Sequence, residues 1–202
     1  MSISLEKGQR ISLEKNGQQL NKVCVGVNWG AIEKKGLFGG IKKIAVDLDA
    51  SVSLYSASKD LQDLIYFGQL KSKDGSIVHS GDDTTGDLDG DDGLDNEVIT
   101  VNLAQVPANV NFVAIILNSY KGQDFATIPF ASVRLYEGTP TRVDQVVASY
   151  NIANDAKFSG AVSMVLGSFY RHNGAWKFKA IGEPTQDKKL EQLVKTVASS
   201  YL

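Results

Sequence analysis

The chain has 202 residues, 43% hydrophobic and 22% charged, a balance that excludes an intrinsically disordered chain and fits one domain over residues 1–202 with a sizeable core. Its formal net charge of −2 comes with no basic tract, only the local pairs Lys34-Lys35, Lys42-Lys43 and Lys188-Lys189, which excludes a nucleic-acid surface. A single cysteine excludes an intramolecular disulfide and a thiolate metal cluster.

The first twenty residues carry no apolar leader core, and no apolar run approaches the roughly 20 residues of a membrane span. The expectation is a cytoplasmic protein whose membrane contact is at most peripheral. Arg10 to Leu13 and Lys22 to Asn28 read as strands, and Cys24, inside Val23 to Val27, as a buried structural thiol. Gly36 to Gly40 lacks the Walker lysine spacing and is read as a flexible connection. Ile41 to Tyr55 reads as one long strand, on which Asp47 and Asp49 project from one face and Leu48 from the other. Leu64 to Phe67 follows, then an acidic loop.

Beyond the loop come strands at Glu97 to Leu103, Asn111 to Asn118, Ala131 to Tyr136, Val146 to Ile152, Ala161 to Tyr170 and Ala175 to Ile181, with a turn or short helix at Ala104 to Pro107. Asn173-Gly174 joins the last two as a β-hairpin, because both residues tolerate positive φ. Pro184 and Thr185 then read as the start and cap of an amphipathic helix with Leu190, Leu193, Val194, Val197 and Tyr201 on its packing face. Many short strands with glycine-rich connections predict a mainly β fold, a two-sheet antiparallel β-sandwich with a C-terminal amphipathic helix. Ile44 to Asp49 and Phe112 to Asn118 echo each other, each a branched run ending in an oxygen-bearing side chain.

The chemistry is concentrated between residues 82 and 97, where Asp82, Asp83, Asp87, Asp89, Asp91, Asp92, Asp95 and Glu97 stand among Gly81, Gly86, Gly90 and Gly93 with no basic residue. Without this loop's eight negative charges the chain would carry +6. Such crowding calls for counterions, raised carboxyl pKa values or full solvation. Calcium accepts six to eight oxygens in flexible geometry at about 2.3–2.6 Å; magnesium, which keeps a tighter octahedron and its waters, ranks second. The EF-hand template fails, since from Asp87 its turn glycine falls on Asp92 and its bidentate Glu on Val98. Gly90-Asp91-Asp92-Gly93-Leu94-Asp95 matches part of the toxin-type calcium repeat, but in one copy where that architecture stacks several. A third arrangement suits the strands: Asp47 and Asp49 form a fixed wall, the loop folds over it, and together they offer oxygens enough for two calcium ions.

The ordered set Asn28-Trp29-Gly30, Val46 to Ser51, His79 to Gly86, Gly90 to Glu97, Gly122-Gln123-Asp124-Phe125 and Tyr170 to Phe178 resembles the TerD family of bacterial tellurite-resistance and stress proteins over nearly the whole chain. The resemblance is strongest to its TerX/TerZ-like branch. It implies a calcium-binding β-sandwich without enzymatic activity, and metal ligands among Asp47, Asp49, Asp82, Asp83, Gly86, Asp87, Asp89, Asp91, Asp92, Asp95 and Glu97. Two features set this chain apart from many members: Trp29-Gly30 replaces Trp-Asp, and the acidic loop ends in the longer stretch around Gly93, Leu94 and Asp95.

Other candidates have plainer readings. His79 is expected to hydrogen-bond loop carboxylates and His172 to serve the hairpin turn; Asn118, Gln123 and Asp124 are expected to hold the next loop, with metal ligation as the alternative. Trp29 and Trp176 are expected to anchor the core with paired indole N–H groups. The expected partners are calcium ions and proteins of a stress-response complex. The alternative is a calcium-dependent adaptor that binds an anionic ligand, a membrane surface or a protein partner. Enzymatic use of the cations as Lewis acids ranks third, because no general base is identifiable.

Overall fold

The computed structural model describes residues 3–4, 6–15, 17–36, 39–152 and 156–202. In chain order the strands are β1 (Ile3–Ser4), β2 (Arg10–Ser12), β3 (Glu14–Lys15), β4 (Gln18–Gln19), β5 (Val23–Trp29), β6 (Ile32–Lys35), β7 (Ile41–Ile44) and β8 (Leu48–Tyr55). They continue as β9 (Leu61–Ile65), β10 (Ile77–His79), β11 (Glu97–Val101), β12 (Phe112–Ser119), β13 (Ala131–Thr139), β14 (Arg142–Asn151), β15 (Ser163–His172) and β16 (Ala175–Thr185), before helix α1 (Leu190–Ser200). Two six-stranded sheets result among the described residues, ordered β1-β14-β13-β5-β11-β10 and β2-β16-β15-β12-β8-β9, with β3-β4 and β6-β7 as separate hairpins. Every named pair is antiparallel except β1 with β14.

Period-two alternation builds the sandwich. On β5, Val23, Val25, Val27 and Trp29 enter the shared core, and Cys24 turns to the outer face with Val98 and Tyr136. On β8, Leu48, Ala50, Val52 and Leu54 meet them from the second sheet. The opposite face of that sheet is covered by α1: Leu193, Val194 and Val197 pack on Tyr55, Ala114, Ile116 and Val165, with Leu190 and Tyr201 partly buried beside them. Each fully buried Leu or Val side chain contributes about 1.5–3 kcal/mol, so this second cluster holds the helix by packing. Both indoles are buried and paired: Trp29 Nε1 donates to Val46 O at 2.9 Å and Trp176 Nε1 to Leu103 O at 3.1 Å.

The Asn173-Gly174 hairpin forms with φ of 51° and 78°, setting His172 opposite Ala175. The two echoing runs meet only at their ends, where Asp49 faces Asn118; the rest of Phe112 to Asn118 pairs with residues 50–55, and Ile44 pairs with Ile32. Two expectations need correction. Ile41 to Tyr55 is two strands: residues 45–47 leave the ladder, and β7 pairs with β6 in a hairpin where Ile41 is 62% exposed, whereas β8 is buried throughout. Pro184 and Thr185 end β16 and do not start the helix; β2 reaches only Lys177–Lys179, so Pro184 occupies an open edge, where a missing N–H is tolerated. The segment after Leu103 is a turn, in which Gln105 and Val106 N–H both donate to Asn102 O. Part of the Gly36 to Gly40 connection, residues 37–38, lies outside the described residues.

Candidate metal centre

The acidic loop runs across one end of the sandwich and is pinned there by its backbone. Asp87 N donates to Trp29 O (2.9 Å), Ala31 N to Asp87 O (3.1 Å) and Val46 N to Thr85 O (3.1 Å), tying the loop to the end of β5 and the approach to β8. Gly86 is required at this crossing: its φ is +65°, and a Cβ there would lie 2.5 Å from Trp29 Cδ1.

Six of the candidate ligands fall into two groups of three. Asp47, Asp49 and Asp82 bring one carboxylate oxygen each to within 4.8 Å of one another, and Asp87, Asp91 and Asp92 do the same. The first group sits at the start of β8, where Leu48 enters the core and Asp49 turns outward. Asp47 immediately precedes the strand and is buried. The second group stands over the outer face of the first sheet, reached from β5 by Asn28. Each group has the same amide companion. Asn118 Nδ2 donates to Asp49 Oδ2 at 3.1 Å and Asn28 Nδ2 to Asp91 Oδ1 at 2.9 Å, while Asn118 Oδ1 and Asn28 Oδ1 are buried without a hydrogen-bond partner among the described residues.

The remaining acidic candidates stand outside both groups, each with partners of its own. Asp83 Oδ1 accepts Thr85 N, Thr85 Oγ1 and Gly86 N at 2.9–3.0 Å, and Oδ2 accepts Asn96 Nδ2 at 3.3 Å. Burial opposes ionisation there, but these donors outweigh it and hold the Asp83 carboxyl below its ordinary range. Asp89 is 98% exposed beside Lys43 Nζ at 2.8 Å. Asp95 is buried against Arg134 Nε at 2.8 Å, above Gly26, whose added Cβ would lie 2.0 Å from Asp95 Oδ2. Glu97 accepts Ala50 N at 2.7 Å and Asp83 N at 3.2 Å.

The charge state follows from burial and neighbours. Burial, then the charges of Glu97, Asp47 and Asp82, push the Asp49 carboxyl up to about 7, and burial likewise raises Asp87. Lys121 Nζ lies 3.0 Å from Asp47 Oδ2, an ammonium from the turn after β12 standing against the first group. His79 Nε2 is 3.0 Å from Ala50 O and 3.5 Å from Glu97 Oε2, and Nδ1 accepts Gly81 N at 3.1 Å. Burial lowers the His79 pKa, but Glu97 outweighs it, for a net rise.

Sequence reasoning singled out the carboxylates that form the two groups and gave Gln123 and Asp124 structural roles; His79, expected to hydrogen-bond loop carboxylates, bonds Ala50 O and Gly81 N instead and only approaches Glu97. Gln123 Nε2 donates to Ala45 O (3.2 Å), and Asp124 caps a short 3₁₀ turn by accepting Ala126 N (2.9 Å). It missed Asn96, Lys121, Arg134 and the cradle at Gly26. Asn96 is the hub of the loop, accepting Trp29 N at 2.8 Å and donating to both Asp83 and Asp87. Its place between Asp95 and Glu97 was the available signal.

The model of the TerD domain matches residues 1–196. The tellurium resistance protein TerZ of Serratia marcescens is 35% identical over 99% of both chains, and the stress response protein SCP2 of Bacillus subtilis is 37% identical over 96% of this chain and 98% of its own. A crystal structure of a homologue of the telluride resistance protein TerD from Streptomyces coelicolor superposes with a TM-score of 0.67 at 19% identity, covering 89% of this chain and 98% of that one, which shows a shared fold.

Proposed function

This chain belongs to the TerD family of tellurium-resistance and stress-response proteins, and from that premise we propose that it is a non-enzymatic, cytosolic calcium-binding protein that takes one cation at each carboxylate group. The observation that carries the reading is the pair of unpartnered amide oxygens. At each group a side-chain amide donates to one carboxylate while its own buried carbonyl oxygen is left over. An unsatisfied buried acceptor costs about 1–3 kcal/mol, and a hard cation would satisfy it. The spacing is compatible too, because oxygens on one calcium at about 2.4 Å can be at most about 4.8 Å apart. Asp47, Asp49 and Asp82 would hold one ion and Asp87, Asp91 and Asp92 the other, all oxygen donors, which suits calcium over a soft transition metal. Bound cations would cancel the mutual repulsion and order the loop.

The non-enzymatic reading is supported by the engagement of the buried His79 with Ala50, Gly81 and Glu97, and by the placement of His172 at an exposed turn. Calorimetric titration of chelator-stripped protein with calcium tests the proposal. Two sites per chain are expected, and a flat titration at millimolar ion would end it.

A second reading, a calcium-dependent adaptor for anionic membranes, is favoured by the β6-β7 hairpin. Lys34 stands directly opposite Lys42, and Lys35 and Lys43 occupy the neighbouring positions. Like charges facing across a ladder are destabilising, and a polyanionic surface would relieve them. Cosedimentation with phosphatidylserine vesicles with and without calcium decides it; no calcium-dependent pelleting removes this reading. Among the described residues no helix is long and apolar enough to cross a membrane.

A further inference from the structure

Beside the first carboxylate group the second sheet opens into a cleft of about 320 Å³. Its floor is the outer face of β8 and β12, where Asp49, Ser51 and Asn118 converge. Ser51 is fully buried, and its Oγ has no hydrogen-bond partner among the described residues; Asn118 Oδ1 is in the same state. A hydroxyl left unpaired in this way costs about 1–3 kcal/mol, and here it lines an open cleft that a ligand can enter.

The walls differ in kind. One is aromatic: Phe67 packs edge-to-face on Tyr66 (5.3 Å, 79°) and on Tyr120 (5.8 Å, 88°), yet Phe67 is 40% and Tyr120 65% exposed. The other is the start of α1, an 11-residue helix whose cap position is Lys189, with no side-chain cap, preceded by Lys188. Helix N-termini ordinarily recruit Ser, Thr, Asp or Asn to accept their free N–H groups, and cations there oppose the dipole. Two lysines at that end place positive charge beside the free donors of the first turn, against Glu191 within it and Asp187 just before the lysines. This is the arrangement that binds a phosphate.

We propose that the cleft binds a small phosphate monoester carrying a planar ring, with the phosphate between the start of α1 and a cation at Asp49 and the ring against Phe67 and Tyr120. The proposal rests on the calcium reading, because an ion-free Asp49 carboxylate would repel the phosphate. Ser51 Oγ would donate to a phosphate oxygen.

The probe is adenosine 5′-monophosphate, titrated by calorimetry into calcium-saturated and chelator-stripped protein, with ribose 5-phosphate, adenosine and inorganic phosphate in parallel. Binding is expected for the nucleotide in calcium and about tenfold or more weaker without it, a difference of about 1.4 kcal/mol. Tyr120→Ala should weaken the nucleotide about tenfold, within the worth of one base–aromatic stacking contact, and leave ribose 5-phosphate unchanged. Lys189→Glu should weaken both phosphates, and neither variant should alter the calcium titration. Normal calcium binding without nucleotide binding overturns this proposal alone, as does nucleotide binding indifferent to both variants or no tighter than inorganic phosphate. A flat calcium titration overturns the metal reading and this one with it.

Discussion

Glu97, at the start of β11 in the first sheet, accepts the backbone N–H of Ala50 in the second sheet at 2.7 Å. β12 flanks Ala50 on one side, but β9 pairs with β8 only from Val52 onward, so on that edge the polar groups of Ala50 have no described strand beside them. Glu97 takes the N–H and His79 the carbonyl, at 3.0 Å. An acidic residue that reads as a ligand in the sequence also clamps the two sheets together.

Removing that clamp separates stability from ion binding. Glu97→Ala leaves the N–H groups of Ala50 and Asp83 without their acceptor, each worth about 1–3 kcal/mol if it stays dry. A loss of about 2–4 kcal/mol is expected in urea unfolding, with two calcium ions still bound per chain. A drop in calcium stoichiometry would instead make Glu97 a ligand.

Calcium should raise the melting temperature. At a free concentration of about 100 times the dissociation constant, one site adds about 2.7 kcal/mol, or roughly 5–10 °C for a domain of this size. Asp47→Asn and Asp91→Asn should each remove one of the two ions and about half of the rise, while Asp89→Asn, at an exposed position outside both groups, should remove neither. Scanning calorimetry across a calcium series reads all three.

The pH dependence has a definite sign. Asp49 has a carboxyl pKa of about 7 in the ion-free fold against an ordinary 3.8, so between about pH 4 and 7 the folded state holds a proton that the unfolded chain has lost. Ion-free stability from this group is complete below about pH 4, falls as pH rises, and is gone above about pH 7. Calcium must displace that proton. Its affinity at the first group should strengthen up to about tenfold per unit between pH 5 and 7 and level off above, with proton release at pH 6 visible by calorimetry in two buffers of different ionisation heat.

Gly26→Ala tests the support of the loop's far end. The new methyl would occupy the position of the Asp95 carboxylate and force it off Arg134. Overpacking of this kind costs about 1–3 kcal/mol, and the buried ion pair is lost with it. Urea unfolding should show the loss, and unchanged stability would mean that Asp95 has another place to go.

What could be read in advance was whatever depends on periodicity and local turn chemistry. The alternation of β5 and β8, the Asn173-Gly174 hairpin and the packing stripe of α1 are each set by neighbours within a few residues. The strand break at residues 45–47 was not legible, because an uninterrupted branched run hides a change of partner from β6 to β12. Eight loop carboxylates likewise look alike in one dimension. They separate into two groups and four individually engaged residues only when Asn28, Asn118 and Arg134 arrive from strands far away in sequence and Asn96, within the loop, bonds both Asp83 and Asp87. The family's motifs located the loop; which oxygens remain free is decided by those distant partners.

Lys121 gives the first group a tethered rival to any incoming ion. An arriving dication has to evict an ammonium that reaches Asp47 Oδ2 at 3.0 Å, so filling the group exports a positive charge to solvent near Thr84. Loaded and empty molecules would then differ in outward appearance even if the strands never moved, and the acylation rate of that one amine would become an occupancy gauge. Faster labelling with calcium is the expected reading; equal rates would mean that the lysine stays put.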